Sequence, residues 1–255
     1  MNVGASLDLR MDDTPESFAR HLTSLGLSHV EIRHSYLDTR PDQPEPAAFR
    51  ALAERYGLTY TVHAPYTDCN PANLNERLRL AAADSLIDSL EFAAAVGAGA
   101  VVAHGGAVKR GYPEHVHEHA REQAVRTLRT AAAHAAEVGV PLCVENQRRK
   151  PRKRYHTATP DRLAALLADV GDGVDDDALG VTLDVGHAKA SGVDVEAFLE
   201  AVGDRVVVAH LHDNDGSSDD HDPLPGYEAV ARQVGAEYTV LEMKSRADIE
   251  RCVRG

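Results

Sequence analysis

Eight short β-branched runs alternate with eight longer amphipathic stretches along this chain of 255 residues. The predicted strands are Val3–Asp8, His29–Arg33, Thr59–His63, Ala100–His104, Leu142–Glu145, Gly180–Asp184, Val206–His210 and Tyr238–Glu242. The predicted helices are Thr14–Leu25, Ala47–Tyr56, Asn75–Val96, Glu114–Val138, Thr159–Leu167, Val195–Val202, Tyr227–Val234 and Ala247–Val253. Repeats of a strand followed by a helix are typical of parallel βαβ units.

Glycine and proline support these boundaries. Thr14-Pro15 and Thr159-Pro160 suit the start of a helix, where proline is tolerated at the first helical position. Five predicted helices are followed by a glycine that can end them in the left-handed conformation: Gly26, Gly57, Gly97, Gly139 and Gly203. We find no linker, so we predict one domain over residues 1–255. Eight regular units of this total length favour a closed (β/α)8 TIM barrel over a doubly wound open sheet.

Composition says more about the solvent and cellular location of the protein than about its activity. The net charge is −13, with 22 Arg against 5 Lys, which resembles a surface adapted to high salt. We expect a cytoplasmic protein without a membrane contact, because the chain shows neither a signal peptide nor a long apolar run. The three cysteines fit neither a zinc finger nor a disulfide framework.

The side chains that can carry chemistry lie at the ends of the predicted strands. The six last strands end in His63, His104, Glu145, Asp184, His210 and Glu242. Three more candidate ligands lie in the loops that follow: His187, Asp219 and His221. The carboxyl ends of barrel strands converge, and packed carboxylates repel each other unless cations are present. We therefore predict a site for one to three divalent ions, with Zn, Mn or Co suited to mixed imidazole and carboxylate ligands.

The histidines raise two further points, an alternative ligand and the role of the remaining rings. His212 is an alternative to His210 as the ligand from the seventh strand, because alternation puts both on the same face. We interpret the histidines away from the strand ends as solvated surface groups: His34, His115, His117, His119, His134 and His156.

Residues 148–154, RRKPRKR, carry six of the chain's 27 basic residues. The segment follows Glu145 directly, so a barrel would place it on the face that carries the proposed ligands. It is either a solvated loop or a binding surface for an anionic substrate, such as a sugar phosphate or a nucleic-acid backbone.

Four motifs resemble the xylose isomerase-like superfamily, which includes sugar isomerases and epimerases and the endonuclease IV (AP endonuclease family 2) nucleases. The motifs are His63-Ala-Pro-Tyr66, Val144-Glu-Asn146, Asp184-Val-Gly-His187 and the segment Asp219–Leu224. The resemblance implies a four-ligand site of Glu145, Asp184, His210 and Glu242. The nuclease pattern adds one metal on His63, His104 and a bridging Glu145, and another on His187, Asp219 and His221.

The resemblance supports two activities. We favour a sugar or sugar-phosphate isomerase or epimerase using metal-stabilised enediolate chemistry, with Glu145 and Glu242 as the catalytic carboxylates. A small anionic sugar would then contact His187, Arg148, Arg149 and Lys244. The alternative is a zinc-dependent phosphodiesterase acting at abasic sites in DNA.

The loops after the first two strands, Arg10–Asp13 and His34–Pro46, lack the basic and aromatic insertions expected of a DNA-gripping enzyme, and the chain has no Trp. This observation weighs against the nuclease. A barrel that keeps only a structural metal is the third hypothesis.

Overall fold

Eight parallel strands close into a barrel in the computed structural model, which describes residues 1–40 and 44–255. In chain order the ten strands are β1 (Asn2–Leu7), β2 (His29–Arg33), β3 (Thr59–His63), β4 (Val101–His104), β5 (Ala107–Lys109), β6 (Leu142–Glu145), β7 (Lys153–Tyr155), β8 (Leu179–Asp184), β9 (Val206–Leu211) and β10 (Tyr238–Leu241). The barrel order is β1-β10-β9-β8-β6-β4-β3-β2. The predicted (β/α)8 TIM barrel is therefore confirmed.

Helices surround the barrel. They are α1 (Pro15–Ser24), α2 (His34–Asp38), α3 (Pro46–Tyr56), α4 (Glu76–Val96), α5 (Glu114–Val138), α6 (Pro160–Gly171), α7 (Val185–Ala190), α8 (Val195–Val202), α9 (Tyr227–Val234) and α10 (Arg246–Arg254). The eight predicted helices are present, and α6 runs four residues beyond its predicted end at Leu167. Thr14 caps α1 by accepting a hydrogen bond from the Ser17 amide at 3.2 Å. None of the helices in the described ranges combines the length and apolar character that a bilayer crossing requires.

Two short helices and two short strands were not predicted, and all four lie on the carboxyl side of the barrel. Helices α2 and α7 directly follow β2 and β8. Strands β5 and β7 pair in antiparallel fashion outside the barrel, with Val108 opposite Arg154. Of the predicted loop His34–Pro46, residues 41–43 lie outside the described residues.

Strand alternation divides the barrel interior into layers. Val102, Cys143, Val208 and Val240 form a buried cluster with Ala100 and Tyr238. The residue two positions further along each of these four strands is His104, Glu145, His210 or Glu242. Because positions i and i+2 share a face of a strand, the apolar layer supports the polar layer above it.

Candidate metal centre

Strand register brings the candidate ligands together at the carboxyl end of the barrel. His104 on β4 pairs with Glu145 on β6, and Asp184 on β8 pairs with His210 on β9. All nine predicted metal ligands lie in this one region, although they span residues 63 to 242 of the chain. The strand ends therefore converge as expected of a barrel.

The first group of ligands is His63, His104 and Glu145, whose ligand atoms all lie within 4.8 Å of one another. Glu145 Oε2 lies 2.9 Å from His104 Nε2 and 3.9 Å from His63 Nε2. His63 Nδ1 lies 2.8 Å from the carbonyl oxygen of Ala64, to which it donates a hydrogen bond. This contact leaves His63 Nε2 free to accept a cation.

The second group shares Glu145 with the first and adds Asp184 and His210. His210 Nδ1 lies 3.5 Å from Glu145 Oε1 and 3.6 Å from Glu242 Oε2. These four side chains are buried, so the site lies at the floor of the cavity. Three members of the four-ligand site implied by the family resemblance thus lie within reach of one cation, and the fourth, Glu242, lies beside His210.

The third group contains Asp219 and His221 and also His212, which the ligand prediction for this group omitted. His212 Nε2 lies 3.2 Å from Asp184 Oδ1 and 3.7 Å from Asp219 Oδ1. Its ring stacks on that of His221, with centroids 4.1 Å apart. His187 Nε2 approaches Asp219 Oδ2 from the other side at 3.3 Å.

Gly186 makes room for the His212 ring. A Cβ added at Gly186 would lie 2.0 Å from His212 Cε1, so a larger residue in this position would displace the imidazole. Both His210 and His212 face the cavity floor, as strand alternation predicted, and each belongs to a different ligand group.

The donor set fits divalent cations. Four buried atoms of these groups have no hydrogen-bond partner among the described residues: Asp184 Oδ2, His210 Nδ1, His212 Nε2 and Asp219 Oδ1. An unpaired polar atom in a protein interior costs about 1–3 kcal/mol, and carboxylates and imidazoles without partners at one point are what a cation would satisfy. Mixed oxygen and nitrogen donors suit Zn, Mn or Co.

Charge in the site is strongly coupled. Burial alone would raise the pKa of Glu145, but the neighbouring His104, His187 and His210 hold it well below its usual range. Burial alone would lower the pKa of His210, but Glu31 and Glu242 raise it well above its usual range. In both cases a neighbouring opposite charge stabilises the charged form of the side chain. A bound cation would stabilise the ionised carboxylates in the same way.

Sequence reasoning assigned no role to Arg33 or Glu31, although both lie on β2 with side chains turned into the barrel. Arg33 is buried, donates a hydrogen bond to Glu242 Oε1, and lies 3.4 Å from Asp8 Oδ2. Glu31 Oε2 accepts a hydrogen bond from His210 Nε2 at 2.8 Å. The alternation of His29, Glu31 and Arg33 in an apolar strand was the signal that could have revealed them.

A cavity of about 890 Å³ opens above these groups. Of the four predicted substrate contacts, His187 and Lys244 line it, whereas Arg148 and Arg149 are not among its lining residues. Arg148 Nε lies 3.3 Å from Asp219 Oδ2, and Arg149 is exposed. The basic segment contributes Lys150 and Lys153 to the lining instead.

The interpretation of the remaining histidines as solvated surface was wrong for two of them. His117 is buried, and its Nε2 lies 3.2 Å from the carbonyl oxygen of Arg110. His156 is also buried, and burial together with nearby arginines lowers its pKa to about 4. Arg110 directly follows β5 and His156 directly follows β7, so both histidines lie next to the β5–β7 ribbon, which the sequence pattern did not reveal.

Comparison with known proteins identifies the family. The model of the xylose isomerase-like TIM barrel family matches residues 19–249, so the chain belongs to this family. An uncharacterised protein of Methanocaldococcus jannaschii is 32% identical over 173 residues, which are 67% of this chain and 56% of the relative. A second such protein of that organism is matched over 62% of its length, so the chain spans less than two thirds of both.

A relative that is named as an enzyme and two solved structures are also similar to this chain. Endonuclease 4 of Thermus thermophilus is 37% identical over 210 residues, covering 76% of this chain and 69% of the relative. A solved D-tagatose 3-epimerase-like protein has a TM-score of 0.82 at 24% identity and covers 100% of this chain and 95% of its own. A Thermus thermophilus protein soaked with ZnCl2 has a TM-score of 0.71 at 25% identity, with coverage of 98% and 96%.

Proposed function

We propose that this protein is a divalent-metal-dependent phosphoester hydrolase with a multinuclear centre of the endonuclease IV type. The observation that carries the proposal is the overlap of the ligand groups: the first and second share Glu145, and Asp184 of the second also belongs to a group with Glu242 and with His212 of the third. An isomerase site that holds one metal would not need the first and third ligand groups. Two or three cations 3.5–4 Å apart typically clamp the attacking and leaving oxygens of a phosphoester.

Each group has a definable part in this proposal. Glu145 would bridge the first and second cations, since its two oxygens face His104 and His210 separately. Asp219, His221 and His212 would hold the third, with His187 on its far side. Bound divalent ions would lower the pKa of water and neutralise charge on the phosphoryl oxygens.

The position of Arg33 favours metal-dependent hydrolysis over proton transfer by Glu242. Burial alone would raise the pKa of Glu242, but the guanidinium of Arg33 holds it far below its usual range. A carboxylate with such a low pKa is a poor general base near neutral pH, because its conjugate acid forms too rarely. It is, however, well suited to remain a permanently ionised metal ligand. The similarity to Endonuclease 4 of Thermus thermophilus supports the same chemistry.

The test combines metal content with hydrolysis. Protein purified without added metal or chelator is assayed by elemental analysis, and for cleavage of bis(p-nitrophenyl) phosphate and of an oligonucleotide with one abasic site. We expect two to three ions per chain and hydrolysis that Asp219→Asn and His104→Asn each reduce about 10²–10³-fold. One ion per chain without hydrolysis of either substrate would refute the proposal.

A sugar or sugar-phosphate isomerase or epimerase is the second candidate. Glu145 Oε1 and Glu242 Oε2 lie 3.5 and 3.6 Å from His210 Nδ1, so the two carboxylates that would exchange protons with a bound sugar are close together. A cavity of about 890 Å³ also suits a small sugar better than a duplex. His104→Asn separates the candidates, because it removes a ligand of the first group only. Full isomerisation of a sugar phosphate by that variant would favour the isomerase.

A further inference from the structure

The segment RRKPRKR folds as a tight turn at the tip of a two-stranded ribbon. Pro151 and Arg152 form the turn, and the Lys153 amide donates a hydrogen bond to the Lys150 carbonyl oxygen at 3.4 Å. Lys150 and Lys153 are therefore cross-strand neighbours. Proline at the second position of a turn pre-sets the backbone angle that this geometry needs.

The ribbon is fixed to the rest of the barrel, so the turn has a defined position. Asn70 donates to the Ala107 carbonyl oxygen at 2.9 Å and accepts from the Ala107 amide at 3.0 Å. Arg154 points away from the cavity and contacts both carboxylate oxygens of Glu114 at 2.9 and 3.0 Å. Because alternate residues of a strand face opposite sides, Lys153 and Tyr155 face the cavity.

Within residues 1–40 and 44–255, the ammonium groups of Lys150 and Lys153 contact no carboxylate, although Asp219 acts electrostatically on Lys150 from a greater distance. The two arginines of the cavity wall differ, since Arg10 and Arg33 contact Asp8. Lys244 donates to the Asp220 carbonyl oxygen. Like charges directly opposite on paired strands are destabilising. Lys109 adds a third positive charge, since it lies opposite Lys153 in the ribbon.

Lys150 is also partly withdrawn from water. Its Nζ lies 5.6 Å from the centroid of the Tyr155 ring, and the residue is half-buried. Burial and the nearby Arg148 lower its pKa more than Asp219 raises it. A cation that is held beside another cation, faces a cavity and has no carboxylate in contact is stabilised when an anion enters the cavity.

We propose that Lys150 and Lys153 form a phosphate subsite, which binds a phosphate group of the substrate that is not the group on the metal centre. Two ammonium groups can donate several hydrogen bonds to the free oxygens of one phosphate. The inference extends the proposed function by naming a substrate class, molecules that carry a phosphate distant from the reacting atoms. A sugar bisphosphate and a nucleic-acid strand both offer such a group.

The experiment compares binding of a sugar bisphosphate and the corresponding monophosphate. Dissociation constants of D-fructose 1,6-bisphosphate and D-fructose 6-phosphate are measured by calorimetry on the metal-loaded protein, and the affinity for an abasic oligonucleotide is measured by fluorescence anisotropy. We expect Lys150→Gln/Lys153→Gln to weaken binding of the bisphosphate about ten- to hundredfold and to leave binding of the monophosphate unchanged. The matched control is Arg149→Gln/Arg152→Gln, which removes two charges from the same segment outside the cavity lining.

The outcomes are separable. Loss of preference for the bisphosphate in the lysine variant but not in the arginine variant supports the subsite. A parallel loss of oligonucleotide affinity assigns the phosphate to a nucleic acid, and an unchanged oligonucleotide affinity assigns it to a small sugar phosphate. An unchanged preference, or equal losses in both variants, overturns the subsite. Because the readout is affinity and not rate, absence of hydrolysis would refute only the proposed reaction.

Discussion

Two histidines inside the same barrel show how differently its two ends use one residue type. His29, near the amino end of β2, and His210, at the carboxyl end of β9, are both fully buried. His29 has both ring nitrogens occupied, with Nδ1 2.8 Å from Thr59 Oγ1 and Nε2 3.1 Å from Thr61 Oγ1. His210 has Nε2 bonded to Glu31, whereas its Nδ1 has no partner in the part of the chain described.

The surroundings shift the pKa values of the two rings in opposite directions. Burial lowers the pKa of His29 to about 4, because the hydroxyls that contact its ring carry no charge and Glu31 offsets the effect of burial only in part. Carboxylates overcome burial and raise the pKa of His210. A buried histidine with both nitrogens satisfied is a structural residue, whereas one that keeps a nitrogen unpaired among carboxylates is suited to bind a cation.

The largest effect should come from Glu145→Gln, which removes the charge shared by two ligand groups. We expect a loss of bound metal and a fall in activity of about 10²–10³-fold or more, because both the bridging charge and its placement disappear. Elemental analysis and the hydrolysis assay measure the two effects. His29→Gln is the control at the other end of the barrel and should retain full metal content. Full metal content in Glu145→Gln would contradict the assignment.

The strand ends could be predicted because alternation and chain order alone determine which side chains face the barrel axis. The roles of Glu31 and Arg33 could not, because their partners His210 and Glu242 lie 179 and 209 residues away. Three-residue strands such as β7 are too short to show a period. For that reason the sequence identified a basic segment but could not say which of its cations face the cavity.

A smaller effect is expected from Glu31→Gln, which leaves every proposed ligand in place. The Glu31 carboxylate orients the His210 ring by accepting from Nε2, so we expect metal affinity to fall about 10–100-fold. Chelator competition measures this affinity. Thr61→Val is the matched variant, because it removes the corresponding partner of His29. It should lower stability by about 1–3 kcal/mol and leave metal affinity unchanged. Equal metal affinities in the two variants would remove the distinction between the histidines.

The smallest effect concerns acid stability of the metal-free protein. Since the pKa of His29 is about 4 in the folded state, and about 6.5 in an unfolded chain, only the unfolded state binds a proton between these values. Stability therefore falls as the pH drops below about 6.5, and His29 should account for about 1 kcal/mol between pH 7 and pH 5.5. His29→Gln keeps a side chain that can bond both hydroxyls but does not titrate in this range. Urea unfolding at the two pH values should show a smaller pH-dependent loss in this variant than in the wild type. An equal loss in both proteins would mean that the hydroxyl-bonded ring does not govern acid stability at this end of the barrel.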